Sequence, residues 1–319
     1  MPLKFGEAEK LITKEELKMP KIPVILDCDP GVDDAFAIVT AVLDPKIDLK
    51  LVTTVTGNVS VDRTTKNALY IMQDLKSKIP VSSGAARPLL RELEEYEPWF
   101  GESGLGNYPR GDLELSETDE NAVAGMYKVL SNSKEAITIV GTGSYTNLAL
   151  LLVEHPDIVG KIKQFILMGG TLSKGNMSSV AEFNIYCDPE AADLVYRSNI
   201  PIITAGIDVS QRALIYFDTN KKISKMSDIG SKLSTLVNDF SSKKENGFVV
   251  YDLNTIAYLL HPEFYTCKDY FVAIQKTGPA RGATVADLSD RKDTNVKIMT
   301  NVNDDQLNTW LLEEMNSFK

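Results

Sequence analysis

The sequence predicts an α/β fold in a single domain, built on an open, mainly parallel β-sheet with helices on both faces. Short apolar runs rich in β-branched residues alternate with longer segments whose apolar residues recur at helical spacing. Strands that alternate with helices in this way form parallel sheets, because each helix crosses over between two neighbouring strands. Of the 319 residues, 43% are apolar and 24% are charged, which is the composition of a globular protein with an ample core.

The alternation begins at residue 22 and continues to the C-terminal region. The first apolar run, 22–26, predicts a buried strand, and residues 33–43 predict the helix that follows it. Further strands are predicted at 49–55, near 81, and at 136–140, 164–168, 200–205, 271–275 and 296–302. Further helices are predicted at 61–75, 121–130, 145–153, 189–197, 219–227, 230–244, 253–260 and 304–316. No repeat or linker divides this region, so residues 22–319 predict one domain.

Two segments stand outside the alternation. Residues 1–21 form a charged leader, in which a capping box at 13–16 predicts a short surface helix. Residues 83–118 are rich in Gly, Pro and Glu and contain Trp99 and Phe100. An irregular stretch of this length inside a compact domain is usually functional or mobile.

Charge and cysteine usage limit the possible partners and the compartment. A net charge of −10 argues against nucleic acid or an anionic membrane as the principal partner. The three cysteines, Cys28, Cys187 and Cys267, have neither metal-site spacing nor the pattern of a disulfide framework. No apolar run approaches membrane-spanning length, and the N-terminus lacks a signal-peptide core. We therefore expect a cytoplasmic protein in a reducing environment.

The chain is organised around residues 27–34, Asp-Cys-Asp-Pro-Gly-Val-Asp-Asp. Pro30 and Gly31 predict a tight turn between the first strand and its helix, so four carboxylates collect at one strand end. In open α/β sheets, ligands bind at that edge. Carboxylates crowded together raise one another's pKa or recruit a cation, and oxygen ligands suit Ca²⁺ or Mg²⁺. The motif therefore predicts a site for a hard divalent cation.

Two other interpretations of these acids are weaker. An N-cap with solvated carboxylates needs only one or two acids rather than four. An EF-hand loop fails on register, because counting from Asp27 puts Gly31 at the third acid position, Val32 at the glycine position and Ile38 at the closing Glu position.

Polar residues follow several other predicted strands. They are Asn58, Thr142, Asn176, Glu182, Asn184 and, at the start of a helix, Asp252; Met168 ends a strand. Taken one at a time, such residues are commonly turn residues or helix N-caps. Because the carboxyl ends of parallel strands meet at one edge of a sheet, their joint placement favours a shared functional site.

These segments resemble the nucleoside hydrolase family of inosine–uridine-preferring ribohydrolases, from about residue 22 to the C-terminal helix. The resemblance begins with residues 27–34, which are similar to the family's N-terminal signature. It continues through Gly57-Asn58 and through segments 84–88, 101–106, 142–147, 168–170, 175–176, 181–184 and 188–192. The resemblance implies a Rossmann-like nucleoside hydrolase fold and a hydrolase that cleaves a ribonucleoside into ribose and free base, in nucleoside salvage or catabolism. It also implies self-association as a homodimer or homotetramer.

The resemblance implies a role for each matching residue. Asp29, Asp34, Asp252 and the backbone carbonyl of Thr142 would ligate Ca²⁺, with the ribose 2′- and 3′-hydroxyls and one water completing its coordination. Asp33 would accept a proton from that water as general base. The ribose would be held by Asn58, Met168, Asn176, Glu182 and Asn184. Asp27 would support the residues that bind the ion and the ribose without binding either itself.

Two positions depart from the family pattern. Family members often carry a histidine just before the late metal aspartate, proposed as an acid for the leaving base, and Tyr251 occupies that position here. A second histidine often precedes the segment at 101–106, and Phe100 occupies that position. Neither His155 nor His261 falls at either place; both are expected at helix C-termini. We expect Tyr251 to act as a weak donor to the base, with Trp99 and Phe100 as a stacking surface.

Two alternative functions remain at this stage. A phosphatase of the haloacid dehalogenase type also places Asp-x-Asp after its first strand, but here the only late Asp-Asp pair, Asp304-Asp305, opens a helix. A metal-dependent ribose-binding protein that has lost activity is the other alternative, since both histidines are missing. Release of reducing sugar from nucleosides, against release of phosphate from an aryl phosphate, distinguishes these possibilities.

Overall fold

The computed structural model describes residues 20–94, 101–237, 243–289 and 291–316. The helix predicted inside the leader lies outside the described residues, as do Trp99, Phe100 and part of the helix predicted at 230–244. No helix in the described part of the chain is both long enough and apolar enough to cross a membrane.

The strands form one large sheet and one small one. In chain order they are β1 (Ile22–Cys28), β2 (Ile47–Thr54), β3 (Val81–Ser83), β4 (Ile137–Gly141), β5 (Ile162–Met168), β6 (Ile202–Ala205), β7 (Leu214–Tyr216), β8 (Gly247–Val249), β9 (Tyr265–Ile274), β10 (Thr284–Asp287) and β11 (Val296–Val302). Within the described residues, nine strands make an open sheet in the order β10-β9-β11-β6-β5-β4-β1-β2-β3. Its pairings are parallel except those of β9 with β10 and β11. The predicted fold class is confirmed.

Helices cover both faces of the large sheet. They are α1 (Asp34–Leu43), α2 (Val61–Asp74), α3 (Ala122–Asn132), α4 (Thr146–Glu154), α5 (Phe183–Cys187), α6 (Pro189–Tyr196), α7 (Ile207–Ser210), α8 (Phe217–Ile223), α9 (Asp228–Leu236), α10 (Leu253–Leu260) and α11 (Asp304–Asn316). One face packs against α1, α2, α10 and α11, and the other packs against α3, α4 and α6. Alternate residues of β1 enter these two cores, because successive strand side chains point to opposite faces: Val24 and Leu26 enter one, and Ile25 the other.

β1 occupies the position that matters for function. It pairs with β2 on one side and with β4 on the other, so the strand order reverses beside it. At such a switch point the loops after neighbouring strands diverge and leave a crevice at the carboxyl edge. The loop after β1 carries the acidic motif, and the loop after β4 carries Thr142.

The structure adds strands that the sequence pattern did not predict. β7 and β8 pair antiparallel as a separate two-stranded sheet, and each has only three residues, too few for an alternating pattern. β9 begins at Tyr265 rather than near residue 271, and β10 closes the edge of the large sheet beside it. The first part of β9 is polar because this strand lies near the sheet edge, where burial does not impose an apolar run.

Candidate active site

Three buried carboxylates converge where the N-termini of α1 and α10 meet. Asp33 is the N-cap of α1, Asp34 is its first residue, and Asp252 is the N-cap of α10. One carboxylate oxygen from each lies within 4.8 Å of the other two. Neither N-cap side chain hydrogen-bonds its own helix, so these acids are not serving as caps. The capping interpretation of the motif is therefore wrong for Asp33 and Asp252.

Asp34 is held by neighbours from two loops. The backbone N–H of Gly31 donates to its Oδ2 at 3.0 Å, and the hydroxyl of Thr142 donates to its Oδ1 at 2.8 Å. The backbone carbonyl of Thr142 accepts a hydrogen bond from Nδ2 of Asn184 at 2.7 Å. The ends of β1 and β4 and the start of α5 are thus joined around one carboxylate.

Burial raises the pKa of each of these three acids and of the neighbouring Asp29. Desolvation, followed by the charge of Asp34, raises the pKa of Asp33 to about 7 and that of Asp29 well above its usual range. Desolvation and the charge of Asp33 do the same for Asp252, and desolvation raises the pKa of Asp34. The charges that shift these pKa values most strongly are those of the neighbouring aspartates. A divalent cation with oxygen ligands fits this donor set and would relieve the repulsion.

Asp29 lies beside this group but outside the set of three. Its Oδ2 accepts a hydrogen bond from the backbone N–H of Asn58 at 2.7 Å, and the Asn58 amide donates to the Asp29 carbonyl at 3.1 Å. Gly57 and Gly143 allow two loops to approach the Asp29 side chain. A Cβ at Gly57 would lie only 2.0 Å from Asp29 Oδ2, and a Cβ at Gly143 would lie 3.0 Å from Oδ1.

Asp27 supports the motif from within the sheet. Its Oδ1 accepts hydrogen bonds from the Thr53 hydroxyl at 2.5 Å and from Nδ2 of Asn147 at 2.8 Å. Burial raises its pKa to about 7, although these two hydrogen bonds oppose the shift. Asn147 also donates to the Thr54 carbonyl and accepts from the backbone N–H of Ala85, at 2.9 Å each. Asn147 was not among the predicted site residues, although it ends one of the segments that resemble the family.

The remaining predicted ribose-binding residues lie around the ends of β4 and β5. Asn184 donates to the backbone carbonyl of Met168 at 3.2 Å and to its sulfur at 3.3 Å. Glu182 is the N-cap of α5, and its carboxylate accepts from the N–H groups of Asn184 at 3.0 Å and Gly170 at 2.9 Å. Desolvation raises the pKa of Glu182 to about 7. Asn176 lies apart from these contacts, exposed on the loop between β5 and α5.

Tyr251 precedes Asp252 and is half-buried. Its phenol oxygen accepts a hydrogen bond from the side-chain amide of Gln211 at 3.0 Å. Both histidines occupy C-caps, His155 of α4 and His261 of α10, as the sequence indicated.

A second residue missed from the sequence lies behind the acidic loop. Asn67, buried on α2, donates through Nδ2 to the carbonyl of Pro30 at 2.9 Å and to the carbonyl of Ser103 at 2.8 Å. An asparagine on the buried face of an amphipathic helix is the signal that could have identified it, since a buried amide needs hydrogen-bond partners.

Comparisons with known proteins point to one family. The sequence profile described as inosine-uridine preferring nucleoside hydrolase matches residues 24–309. The non-specific ribonucleoside hydrolase RihC of Salmonella typhi is 40% identical over 294 residues, covering 91% of this chain and 96% of RihC. The structure of a purine-preferring ribonucleoside hydrolase from Gardnerella vaginalis superposes with a TM-score of 0.86 at 26% identity, covering 92% of this chain and 98% of that one. A plant nucleoside hydrolase, PpNRh1, superposes with a TM-score of 0.85 at 29% identity, covering 93% and 100%.

Proposed function

Because the chain belongs to the inosine-uridine preferring nucleoside hydrolase family and is an N-ribosyl hydrolase, we propose that it cleaves ribonucleosides in a Ca²⁺-dependent reaction, giving ribose and free base for nucleoside salvage or catabolism. The observation that carries the metal dependence is the buried group of Asp33, Asp34 and Asp252, whose carboxylate oxygens lie within 4.8 Å of one another. Family membership removes the phosphatase alternative.

We assign Asp29, Asp34, Asp252 and the carbonyl of Thr142 to the ion. Bound there, Ca²⁺ would supply positive charge that orients the sugar diol and lowers the pKa of a water molecule. The protein contributes oxygen donors fixed before the ion arrives, since Asp34 is held by Gly31 and Thr142. Because the carboxylates are desolvated, their attraction for a cation is stronger than that of acids in water.

Asp33 is the proposed general base. It accepts the proton of the water that attacks the anomeric carbon as the bond to the base breaks. Burial raises the pKa of Asp33 to about 7 in the metal-free site, and a bound cation would lower it, which favours the carboxylate form that accepts the proton. The surrounding carboxylates also stabilise the positive charge that develops on the sugar, as in other glycoside hydrolyses.

The ribose would be held by Asn58, Met168, Asn176, Glu182 and Asn184. The side chain of Asn184 is oriented by the Thr142 and Met168 carbonyls, and the Glu182 carboxylate is fixed by the N-terminus of α5. Such prior fixation reduces the entropy lost when the sugar is positioned.

The base side of the site would rely on Tyr251 as hydrogen-bond donor and on Trp99 and Phe100 as stacking surface. An ordinary phenol has a pKa of about 10 and is a reluctant acid at neutral pH. We therefore propose that sugar activation by Asp33 and the ion provides most of the rate, with weak assistance to the departing base.

We also propose a cytoplasmic enzyme that forms a homodimer or homotetramer and binds neither nucleic acid nor membrane. Its free cysteines, Cys28, Cys187 and Cys267, and its net charge of −10 support these assignments. Light scattering on the purified protein measures the oligomeric state, and a monomer would contradict this part.

The test is reducing-sugar release from a panel of ribonucleosides, with the metal removed and then restored. We expect release that disappears after chelation and returns with Ca²⁺, and release close to background in Asp33→Asn. Full activity after chelation, with metal absence verified by elemental analysis, would overturn the metal assignment. Full activity of Asp33→Asn would overturn the choice of base.

A further inference from the structure

A cavity with a volume of about 310 Å³ lies beside α2. The α2 residues Arg63, Lys66 and Tyr70 form one side of it, and Glu102 and Arg110 from the segment before α3 form the other. The α2 positions are spaced three and four residues apart, so they share one face of the helix. This volume lies at the lower end of the range for small-molecule sites.

The cavity carries an excess of positive charge on an acidic protein. Three cationic side chains face one carboxylate, whereas the whole chain has a net charge of −10. Arg63 is paired with Glu102, contacting its carboxylate at 3.2 Å and its backbone carbonyl at 2.7 Å. In the described ranges, Lys66 and Arg110 form no ion pair. All three cationic side chains are exposed to solvent, and their combined positive charge would attract an anion.

A smaller cavity, by comparison, has no such excess of positive charge on its arginines. It contains two arginines, and each is neutralised: Arg91 by Glu190 at 2.6 Å and Arg281 by Glu94 at 2.6 Å. Its volume is about 20 Å³, too small for an organic ligand. Among the residues that the structure describes, the α2 cavity combines two cations that have no ion-pair partner, Lys66 and Arg110, with room for a ligand.

Asn67 connects the α2 cavity to the catalytic loop. It also lines the cavity and is 2% exposed, and its amide donates to the carbonyls of Pro30 and Ser103. Pro30 lies between Asp29 and Asp33 in the acidic motif. A ligand in the cavity therefore sits against a side chain that braces the catalytic loop.

We propose that this cavity binds a nucleoside 5′-monophosphate through its phosphate. Arg63 and Arg110 offer guanidinium donors, Lys66 offers an ammonium, and these groups suit the oxygens of a phosphate dianion. The volume exceeds what inorganic phosphate needs and leaves space for a sugar and base beside Tyr70. The chemistry of the reaction points to the same ligand, because dephosphorylation of a nucleoside monophosphate is a reaction class that supplies nucleosides. The ligand would thus be the precursor of this enzyme's own substrate.

The test is isothermal titration calorimetry with adenosine 5′-monophosphate, at fixed ionic strength and without divalent metal. We compare the unmodified protein with the double variant Lys66→Glu/Arg110→Glu and with the charge-matched control Lys163→Glu/Lys225→Glu, whose lysines are exposed and lie outside the cavity. We expect the cavity variant to lose affinity by about tenfold or more, and the control to bind as the unmodified protein does. Thermal unfolding verifies that each variant is folded.

The outcomes separate the proposal from its alternatives. Absence of binding, or equal losses in the cavity variant and the control, would overturn it. Inorganic phosphate binding as tightly as the nucleotide would overturn the nucleotide assignment.

If the charge-reversed variant does not fold, Lys66→Met/Arg110→Met replaces it, with the same direction of effect expected. An unchanged titration in excess ribose, repeated with Ca²⁺ present so that ribose can occupy the sugar pocket, supports a site separate from that pocket, and a titration abolished by ribose would place the nucleotide there instead. The measurement needs no turnover, so its failure is distinguishable from failure of the Ca²⁺-dependent mechanism.

Discussion

The side-chain amide of Gln211 donates to the phenol oxygen of Tyr251, with 3.0 Å between Nε2 and Oη. Gln211 follows α7 and Tyr251 precedes α10, so the bond joins the C-terminus of α7 to the residue before Asp252. A hydroxyl that accepts a hydrogen bond becomes a stronger donor through its own proton, because neighbouring hydrogen bonds polarise one another. Gln211 therefore both positions Tyr251 and improves it as a donor.

The first prediction concerns Tyr251→Phe. General acid assistance is worth about 10²–10⁴ in rate for a full acid, and a phenol should supply less. We expect kcat/KM for inosine to fall by more than about tenfold, and kcat/KM for p-nitrophenyl riboside, whose leaving group needs no proton, to fall by less than about tenfold. Gln211→Leu should show the same preference for the activated substrate, to a smaller extent. Equal losses on both substrates would mean that Tyr251 does not assist departure of the base.

The second prediction concerns the sugar. If the 2′- and 3′-hydroxyls contact the ion and the fixed polar groups at Asn184 and Glu182, a 2′-deoxynucleoside leaves buried partners unsatisfied. Sites built around a hydroxyl reject its absence by roughly 10⁴-fold in favourable cases. We expect a loss of that order in kcat/KM for 2′-deoxyinosine relative to inosine. Comparable values for the two nucleosides would contradict this geometry.

The third prediction concerns proton release on metal binding. Because burial raises the pKa of Asp33 to about 7 and those of Asp29, Asp34 and Asp252 above their usual range, the metal-free site holds protons near neutral pH. A cation must displace them, so apparent Ca²⁺ affinity should rise between about pH 6 and about pH 8. Calorimetry in two buffers of different protonation enthalpy counts the protons released. Asp33→Asn should release fewer, and an affinity independent of pH would contradict the expectation.

The fourth prediction is that the same carboxylates make the metal-free fold sensitive to pH. The pKa values of these carboxyl groups are higher in the folded protein than in the unfolded chain. Their contribution to the free energy of unfolding is therefore fully present below about pH 4 and is lost as the pH rises through about 7. The melting temperature of the metal-free enzyme should fall between about pH 5 and about pH 8, and saturating Ca²⁺ should raise it most at the upper end. A larger Ca²⁺ effect at the acidic end would show the opposite linkage.

The fifth prediction uses Gly57, which leaves room for the Asp29 carboxylate. The Cβ of Gly57→Ala would lie 2.0 Å from Asp29 Oδ2, so one of the two must move and the Asn58 hydrogen bond is lost. We expect a drop in Ca²⁺ affinity and activity of about tenfold or more, as overpacking a close contact costs about 1–3 kcal/mol. Gly111→Ala is the matched control, because no atom lies within 4 Å of its added Cβ. Unchanged Ca²⁺ affinity in Gly57→Ala would show that Asp29 is not a ligand.

The sequence predicted the sheet because its central strands are apolar runs between helical segments. β7 and β8 were not predicted, because a strand of three residues is too short to show an alternation of apolar and polar residues. The acidic motif and its place at a strand end were also predictable. That Asp33 rather than Asp29 groups with Asp34 and Asp252 was not, because side-chain direction in a tight turn depends on contacts such as the Asn58 N–H. The roles of Asn67 and Gln211 were not predicted, because their hydrogen-bond partners are distant in sequence.

The meeting of α1 with α10 at the acidic group determines when in folding the site can exist. Asp34 lies in the first helix of the domain and Asp252 in the last quarter of the chain, so they meet only after the long-range pairing of the sheet. Contacts of this kind form late, because loop closure precedes any gain from them. An ion bridging them should slow unfolding and leave the folding rate almost unchanged. A nascent chain that ends before α10 has no complete site, so the proposed ion would stabilise the folded enzyme and would not direct its folding.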